Sequence, residues 1–310
     1  MIPQLLRTTG YWAVEHTPHR ALHWFLHTLQ TRPELAEAAG YHVYPRSYTS
    51  PLLLKEETDF AALERQRILP GIELNERHAL ALVEKIAPYV AELTCTPYER
   101  REGDPFWFAN SWFNDFDAAS LYALLRHLAP RRYVELGCGF SSIMSARALA
   151  RNRQCGALCE ALYADPHPRL DVADHLEGAR LTRQRVQDVP LDVFAGFEAG
   201  DVLFIDTSHV VKTQSDVVHA LVTILPMLKP GVWVHFHDVF TPYDYPVKWV
   251  TNPLFSNNEQ YAVEALLTGG DRFTVELPLY FLWRKHSAEL ERFFPRGKLQ
   301  PQGLWIRKRT

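Results

Sequence analysis

Apolar positions change their period near the middle of the chain. Over 118–128, Leu121, Leu124, Leu125 and Leu128 recur at helical spacing, with Asp117 as a candidate cap and Pro130 as a stop. Short apolar runs then alternate with helical patterns. Tyr133–Leu136, Ala161–Ala164, Arg183–Val186, Val202–Ile205 and Val232–Phe236 read as strands, with helices predicted over 143–151 and 213–228. Val202–Ile205 is apolar throughout, as a strand buried on both faces should be. This alternation predicts an α/β fold, a doubly wound parallel sheet with helices on both faces. A further helix is expected from Asn258 to Leu267, ended by Gly269-Gly270, and Phe273–Leu277, Tyr280–Trp283 and Leu304–Arg307 supply late strand material.

The first part of the chain lacks this alternation. Thr17-Pro18 reads as a cap and first helical residue, opening a helix to about Gln30 with Leu22, Leu26 and Leu29 on one side. His19, His23 and His27 share a helical face that could turn toward a metal, but no H-E-x-x-H pattern or cysteine set accompanies them, so a metal role is not the favoured reading. Tyr41–Pro51 is expected to be extended. Asn75–Leu93 returns to a helical pattern, with Leu80, Val83, Ile86, Ala87 and Val90 on one face and a kink at Pro88. The turn-rich Tyr98–Asp104 marks a boundary. Residues 1–115 therefore read as a mostly helical N-terminal extension or lid and 116–310 as the catalytic domain. The aromatics at Phe106-Trp107-Phe108 and Trp112-Phe113 are expected chiefly in an interface core, with a pocket roof as the other reading.

Composition narrows the partners. A formal net charge of −3 over 310 residues gives no reason to expect nucleic acid or an anionic membrane. No run of about 18 uncharged apolar residues occurs. Cys95, Cys138, Cys155 and Cys159 form no C-x-x-C pair, so a reduced, cytoplasmic protein is expected. The oligomeric state is left open, a homo-oligomer among the options.

The chemistry centres on Tyr133–Ser142, a strand running through Glu135 into a turn with Gly137 and Gly139 and then into a helix. Such a turn presents free backbone N–H groups and a positive helix end to an electron-rich ligand group, and glycine lets that group approach closely. The dinucleotide pattern would want glycine or alanine at Ser142. Instead, the E-x-G-x-G turn resembles motif I of the class I S-adenosylmethionine-dependent methyltransferases. The likeness runs from about residue 105 to the end of the sequence. Its more specific half is Leu203-Phe204-Ile205-Asp206 with Ser208-His209, then Leu228-Lys229-Pro230-Gly231, then His237-Asp238-Val239-Phe240 leading to Asp244-Tyr245-Pro246, which resembles a bacterial small-molecule branch. The resemblance implies a Rossmann-like sheet of seven strands with the last reversed, and S-adenosylmethionine as cofactor. It places Glu135, Gly137, Gly139, Ser141 and Ser142 at the cofactor, Asp165 on its ribose, Gln187 and Asp188 at the adenine edge, and Asp206 beside them.

Asp165, Asp206 and His237-Asp238 follow the carboxyl ends of predicted strands, where open α/β sheets bind ligands. His237, His209 and Asp206 are the candidate catalytic residues, either histidine being a candidate base for an acceptor hydroxyl. Asp238, Tyr243 and Tyr245 are expected at the acceptor. His235 shares a strand face with His237 but lies deeper and is read as structural. Catechol-type methyltransferases bind magnesium near Asp206 and Asp238, but His237 stands where that family has a second acid, so no metal is expected. The expected activity is methylation of a small molecule, at oxygen. Two other readings keep the fold: an intramolecular displacement on the cofactor that releases methylthioadenosine, and a non-catalytic nucleotide-binding module.

Overall fold

The computed structural model describes residues 18–310 apart from 46, 48–51, 54–55, 57, 169, 177, 253 and 295–297. Thr17 and part of Tyr41–Pro51 lie outside the described residues. The chain divides into two compact units, Met1–Asp59 and Phe60–Thr310. In the first, helix α1 (His19–Thr31) buries none of its residues, so the Leu22, Leu26 and Leu29 stripe does not form a core there. His23 and His27 stack at 6.4 Å.

The unit boundary falls at 59/60, upstream of the change near 115 expected from the sequence. The reason is the apolar face of α2 (Glu76–Val90): Ala79, Leu82, Val83 and Ile86 are buried in one cluster with Leu121, Leu124 and Leu125 of α3 (Asp115–Leu128). Full burial of each large aliphatic side chain contributes about 1.5–3 kcal/mol, which ties 60–115 to the rest of this unit. Asn114, not Asp117, caps α3, accepting a hydrogen bond from the Asp117 N–H at 3.4 Å. Asp117 is buried and receives the Gln302 N–H instead.

The sheet among the described residues has the order β3-β2-β1-β4-β5-β7-β6. Strands β1 (Arg132–Leu136), β2 (Glu160–Ala164), β3 (Arg180–Thr182), β4 (Val202–Ile205) and β5 (Trp233–Phe236) run parallel. β7 (Leu304–Lys308) lies antiparallel between β5 and β6 (Phe273–Pro278), which is the reversed last strand. Helices cover both faces. Tyr133, Phe204 and Trp305 point into a core shared with α2, α3 and α4 (Phe140–Gln154), whereas Val134, Leu203, Ile205 and Ile306 join Ala220 and Ile224 after α5 (Asp216–His219) and Val263 and Leu267 of α6 (Glu259–Leu267). Strand residues thus alternate between two cores, as the two-residue period requires.

Two expected elements differ. β3 ends at Thr182, three residues long, and the segment expected as its strand continues into a 3-10 turn at Val186–Asp188. Tyr280–Trp283 is not a strand but the first part of α7 (Leu279–Phe293), since Tyr280, Phe281 and Leu282 pack on consecutive sides of a helix and all bury. No helix among the described residues is long and apolar enough to cross a membrane.

Candidate active site

The turn after β1 is fixed from below. Glu135 is fully buried and accepts hydrogen bonds from Tyr133 (2.5 Å), Ser141 (2.7 Å), Ser142 (2.6 Å) and Ser145 (3.1 Å). Burial lifts its carboxyl to about 7 against the pull of those hydroxyls. Glu135, Ser141 and Ser142 therefore brace the turn and the start of α4 and do not line the cavity, although the sequence placed them at the cofactor. Gly137 has φ of 85°, and a Cβ there would lie 1.7 Å from the Asp206 carbonyl oxygen. Only glycine permits this approach of β1 to β4. Gly139 differs: nothing lies within 4 Å of where its Cβ would be, so the turn leaves open space on that side.

Two cavities meet at Asp206 and Thr207. One, of about 330 Å³, is lined by Gly137, Asp165, Gln187, Ser208 and neighbours. The other, of about 600 Å³, is lined by Gly139, Phe140, His209, His237, Asp238 and aromatic residues from 111–113 and 248–257. The carboxyl ends of β1, β2, β4 and β5 thus converge on one site made of two cavities that share Asp206 and Thr207. Asp165 lies at its β2 end, accepting from the Cys138 N–H (2.8 Å) and the His167 N–H (2.6 Å). Gln187 is held by its side-chain N–H to the Gln214 carbonyl at 2.7 Å. Asp188 itself lines neither cavity but pairs at 2.8 Å with Arg185, which lines the smaller one.

His209 is the most constrained residue of the site. It adopts a left-handed φ of 56°, and Asp238 one of 57°, conformations that cost non-glycine residues about 1–2 kcal/mol. The turn places its Nε2 3.2 Å from Asp206 Oδ1 and 3.3 Å from Asp238 Oδ2, while Nδ1 lies 2.9 Å from Glu259 Oε2. Burial favours the neutral ring, but Asp238, Asp206 and Glu259 together raise the imidazole well above its ordinary value of 6.5. With both nitrogens facing carboxyl groups the charged form of His209 is favoured, although burial also raises the carboxyls of Asp238 and Glu259. Its geometry suits a positioning group better than the candidate base expected from the sequence. Glu259 had been read only as the start of a helix. Its role rests on a contact across 50 positions that no local pattern carries.

His237 is 2% exposed, and neither ring nitrogen has a hydrogen-bond partner. Asp238 Oδ1 stands 3.7 Å from Nε2, beyond hydrogen-bond reach. Burial lowers its basicity, but Asp206, Asp238 and Asp117 outweigh that and bring it above 6.5. Asp206, despite the cost of burial, is pulled down to about 2 by His237 and His209. His235, expected to be structural, stacks on Phe204 at 4.2 Å within the core. Tyr243 and Tyr245, expected at the acceptor, are buried and line neither cavity: Tyr243 packs on Tyr280, and Tyr245 stacks on Trp249, which does reach the cavity. The early aromatics divide, with Phe106, Phe108 and Phe113 buried and Trp112 63% exposed at the cavity. Lys248, Phe255 and Gln302 also line it.

Comparison with known proteins adds an independent line. A family model of methyltransferase domains matches residues 134–239, which span β1 to just beyond β5. A protein of Archaeoglobus fulgidus described as uncharacterized is 31% identical over 169 residues, covering 51% of this chain and 72% of that protein. Among solved structures, the plantazolicin methyltransferase BpumL in complex with SAH aligns with a TM-score of 0.39 at 11% identity, covering 76% of this chain and 99% of that one. A cmcI-D160 structure with Mg and SAM aligns with a TM-score of 0.37 at 17% identity, covering 68% and 82%. At this level of likeness the fold rests on the strand order itself.

Proposed function

We propose that the chain, which carries a methyltransferase domain over residues 134–239, is a class I S-adenosylmethionine-dependent enzyme that methylates a hydroxyl of a small molecule, with His237 as the base. The residues present fit the cofactor. The space over Gly139 admits a close ligand, and the cavity with Asp165 and Gln187 has room for an adenosine between strand ends. Asp165 would hold the ribose, Gln187 the adenine edge, and Gly137 and Gly139 the backbone approach. Glu135, Ser141 and Ser142 act one layer below, keeping that turn in shape. When bound, S-adenosylmethionine supplies an electrophilic methyl group on a sulfonium.

The chain's own part is placement and proton handling. Asp206, ionised and shared by both cavities, favours a positive charge at their junction. His237 carries the assignment: it lines the larger cavity at the end of β5, and its buried ring nitrogens have no hydrogen-bond partner among the described residues. Such a group is costly unless a ligand satisfies it, and a hydroxyl proton can do so. His209 holds Asp206 and Asp238 in register, so its cation occupies the space between the two carboxylates that a divalent ion would need. This favours a reaction without metal. The aromatic-walled cavity leaves room for a separate acceptor, which favours intermolecular transfer over ring closure within the cofactor.

The test is His237→Ala. Methyl transfer should fall by about 10²–10⁴ while S-adenosylhomocysteine affinity, read by calorimetry, stays within about threefold. In the unaltered enzyme kcat/KM should rise with pH through a midpoint above 6.5, because the raised histidine must lose its proton to act. A variant as active as its parent, or a midpoint below 6.5, refutes the assignment.

A further inference from the structure

The acceptor cavity is polar at one place, aromatic along its walls and cationic at one further point. Trp112 and Phe140 come from the segments before α3 and at the start of α4, and Trp249 and Phe255 from the segment after β5. Trp112 leaves an indole 63% exposed, surface that a flat ligand would cover. Around His209 three carboxylates gather on one imidazolium, so that part of the cavity repels an anion and accepts a neutral hydroxyl. Lys248 is different. It lines the same cavity, and its ammonium makes no hydrogen bond or ion pair among the described residues.

We propose that the acceptor is a hydroxylated aromatic acid, its ring between the aromatic walls, its hydroxyl at His237 and its carboxylate at Lys248. The proposal rests on the methyl-transfer reading and names the class of molecule it acts on. A flat ring matches walls built from indole and phenyl groups, and a carboxylate gives Lys248 the counter-ion the chain does not supply. Two charged or polar anchors at separate points would fix the ring's direction and so select which hydroxyl meets the base.

The experiment is binding to the protein saturated with S-adenosylhomocysteine, followed by tryptophan fluorescence and calorimetry. The probes are 4-hydroxybenzoate, 4-hydroxycinnamate, their amides, and tyramine. At least one acid should bind about fivefold or more tighter than its amide, and Lys248→Met should abolish that preference while leaving the amide's affinity unchanged. Equal binding of acid and amide, tighter binding of tyramine, no binding of either acid, or a preference that survives Lys248→Met would overturn it. Methyl transfer to the bound acid is assayed separately. An acid that binds through Lys248 but is never methylated leaves this inference standing and counts against the proposed reaction.

Discussion

Replacing His209 by alanine tests the electrostatic core of the site without reference to any substrate. The wild-type ring is nearly buried and joins Asp206, Asp238 and Glu259 at 3.2, 3.3 and 2.9 Å. The contact to Glu259 is a hydrogen bond, and a charged one contributes about 1.5–3 kcal/mol; Asp206 and Asp238 add ionic attraction, and part of the sum is offset by desolvating the imidazolium. Removing one member of a buried ionic group costs about 3–5 kcal/mol, because the remaining charges stay behind unpaired. Three carboxylates sharing a single fixed cation put His209→Ala in that range at pH 7. The loss remains within a typical total stability of about 5–15 kcal/mol, so the variant should fold. The pH dependence follows from the signs. The wild-type contribution of His209 is complete below the unfolded histidine value near 6.5 and is lost only as pH rises through its elevated folded value. In the variant, the carboxyls that lost their counter-ion gain protons more readily when folded, so the deficit should narrow as pH falls toward about 4.5. Urea unfolding of both proteins at pH 7 and 4.5 measures this, with His209→Gln as a variant that keeps some hydrogen bonding. A cost below about 1 kcal/mol at pH 7, or one that does not shrink in acid, would refute the picture of a buried cation holding three acids.

The two glycines of the turn should separate folding from binding. Gly137→Ala must move the Asp206 backbone and should lower the unfolding midpoint sharply, whereas Gly139→Ala meets no protein atom and should keep its stability while weakening S-adenosylhomocysteine in calorimetry. Asp165→Ala should weaken the same ligand by about 1–3 kcal/mol through unpaired ribose hydroxyls and also lower the melting point, since the Cys138 and His167 N–H groups lose their acceptor; unchanged affinity would move the ribose contact elsewhere.

Much of this architecture was legible because it is written in local periods. The apolar run Val202–Ile205 and the glycine turn after Glu135 specify strand, turn and helix without help from distant residues. Tyr280–Trp283 misleads because four bulky apolar residues suit a buried strand or a buried helix equally, and length decides between them. The convergence of Asp165, Asp206, His237 and Asp238 was also readable, since each follows a strand. What escaped were contacts that only the folded chain makes. Glu259 meets His209 from a different helix, Gln302 reaches Asp117 from the stretch before β7, and Lys248 gains meaning only from the cavity it borders. Tyr243 and Tyr245 show the converse: aromatics beside a motif were expected to face the ligand, but they pack inward and support Trp249.

The position of β7 bears on how the molecule is made. It follows every other strand in sequence yet sits inside the sheet, between β5 and β6. On a ribosome, the parallel half carrying the glycine turn and Asp165 can assemble while β5 still presents an unzipped flank. Gln302, just ahead of β7, secures Asp117 through its N–H and borders the larger cavity. Emerging chains would thus acquire the Asp165 end of the site early and its opposite wall only when the closing ribbon slides home, so if that end takes the nucleoside as proposed, a cofactor analogue added during translation should find a foothold before any acceptor can.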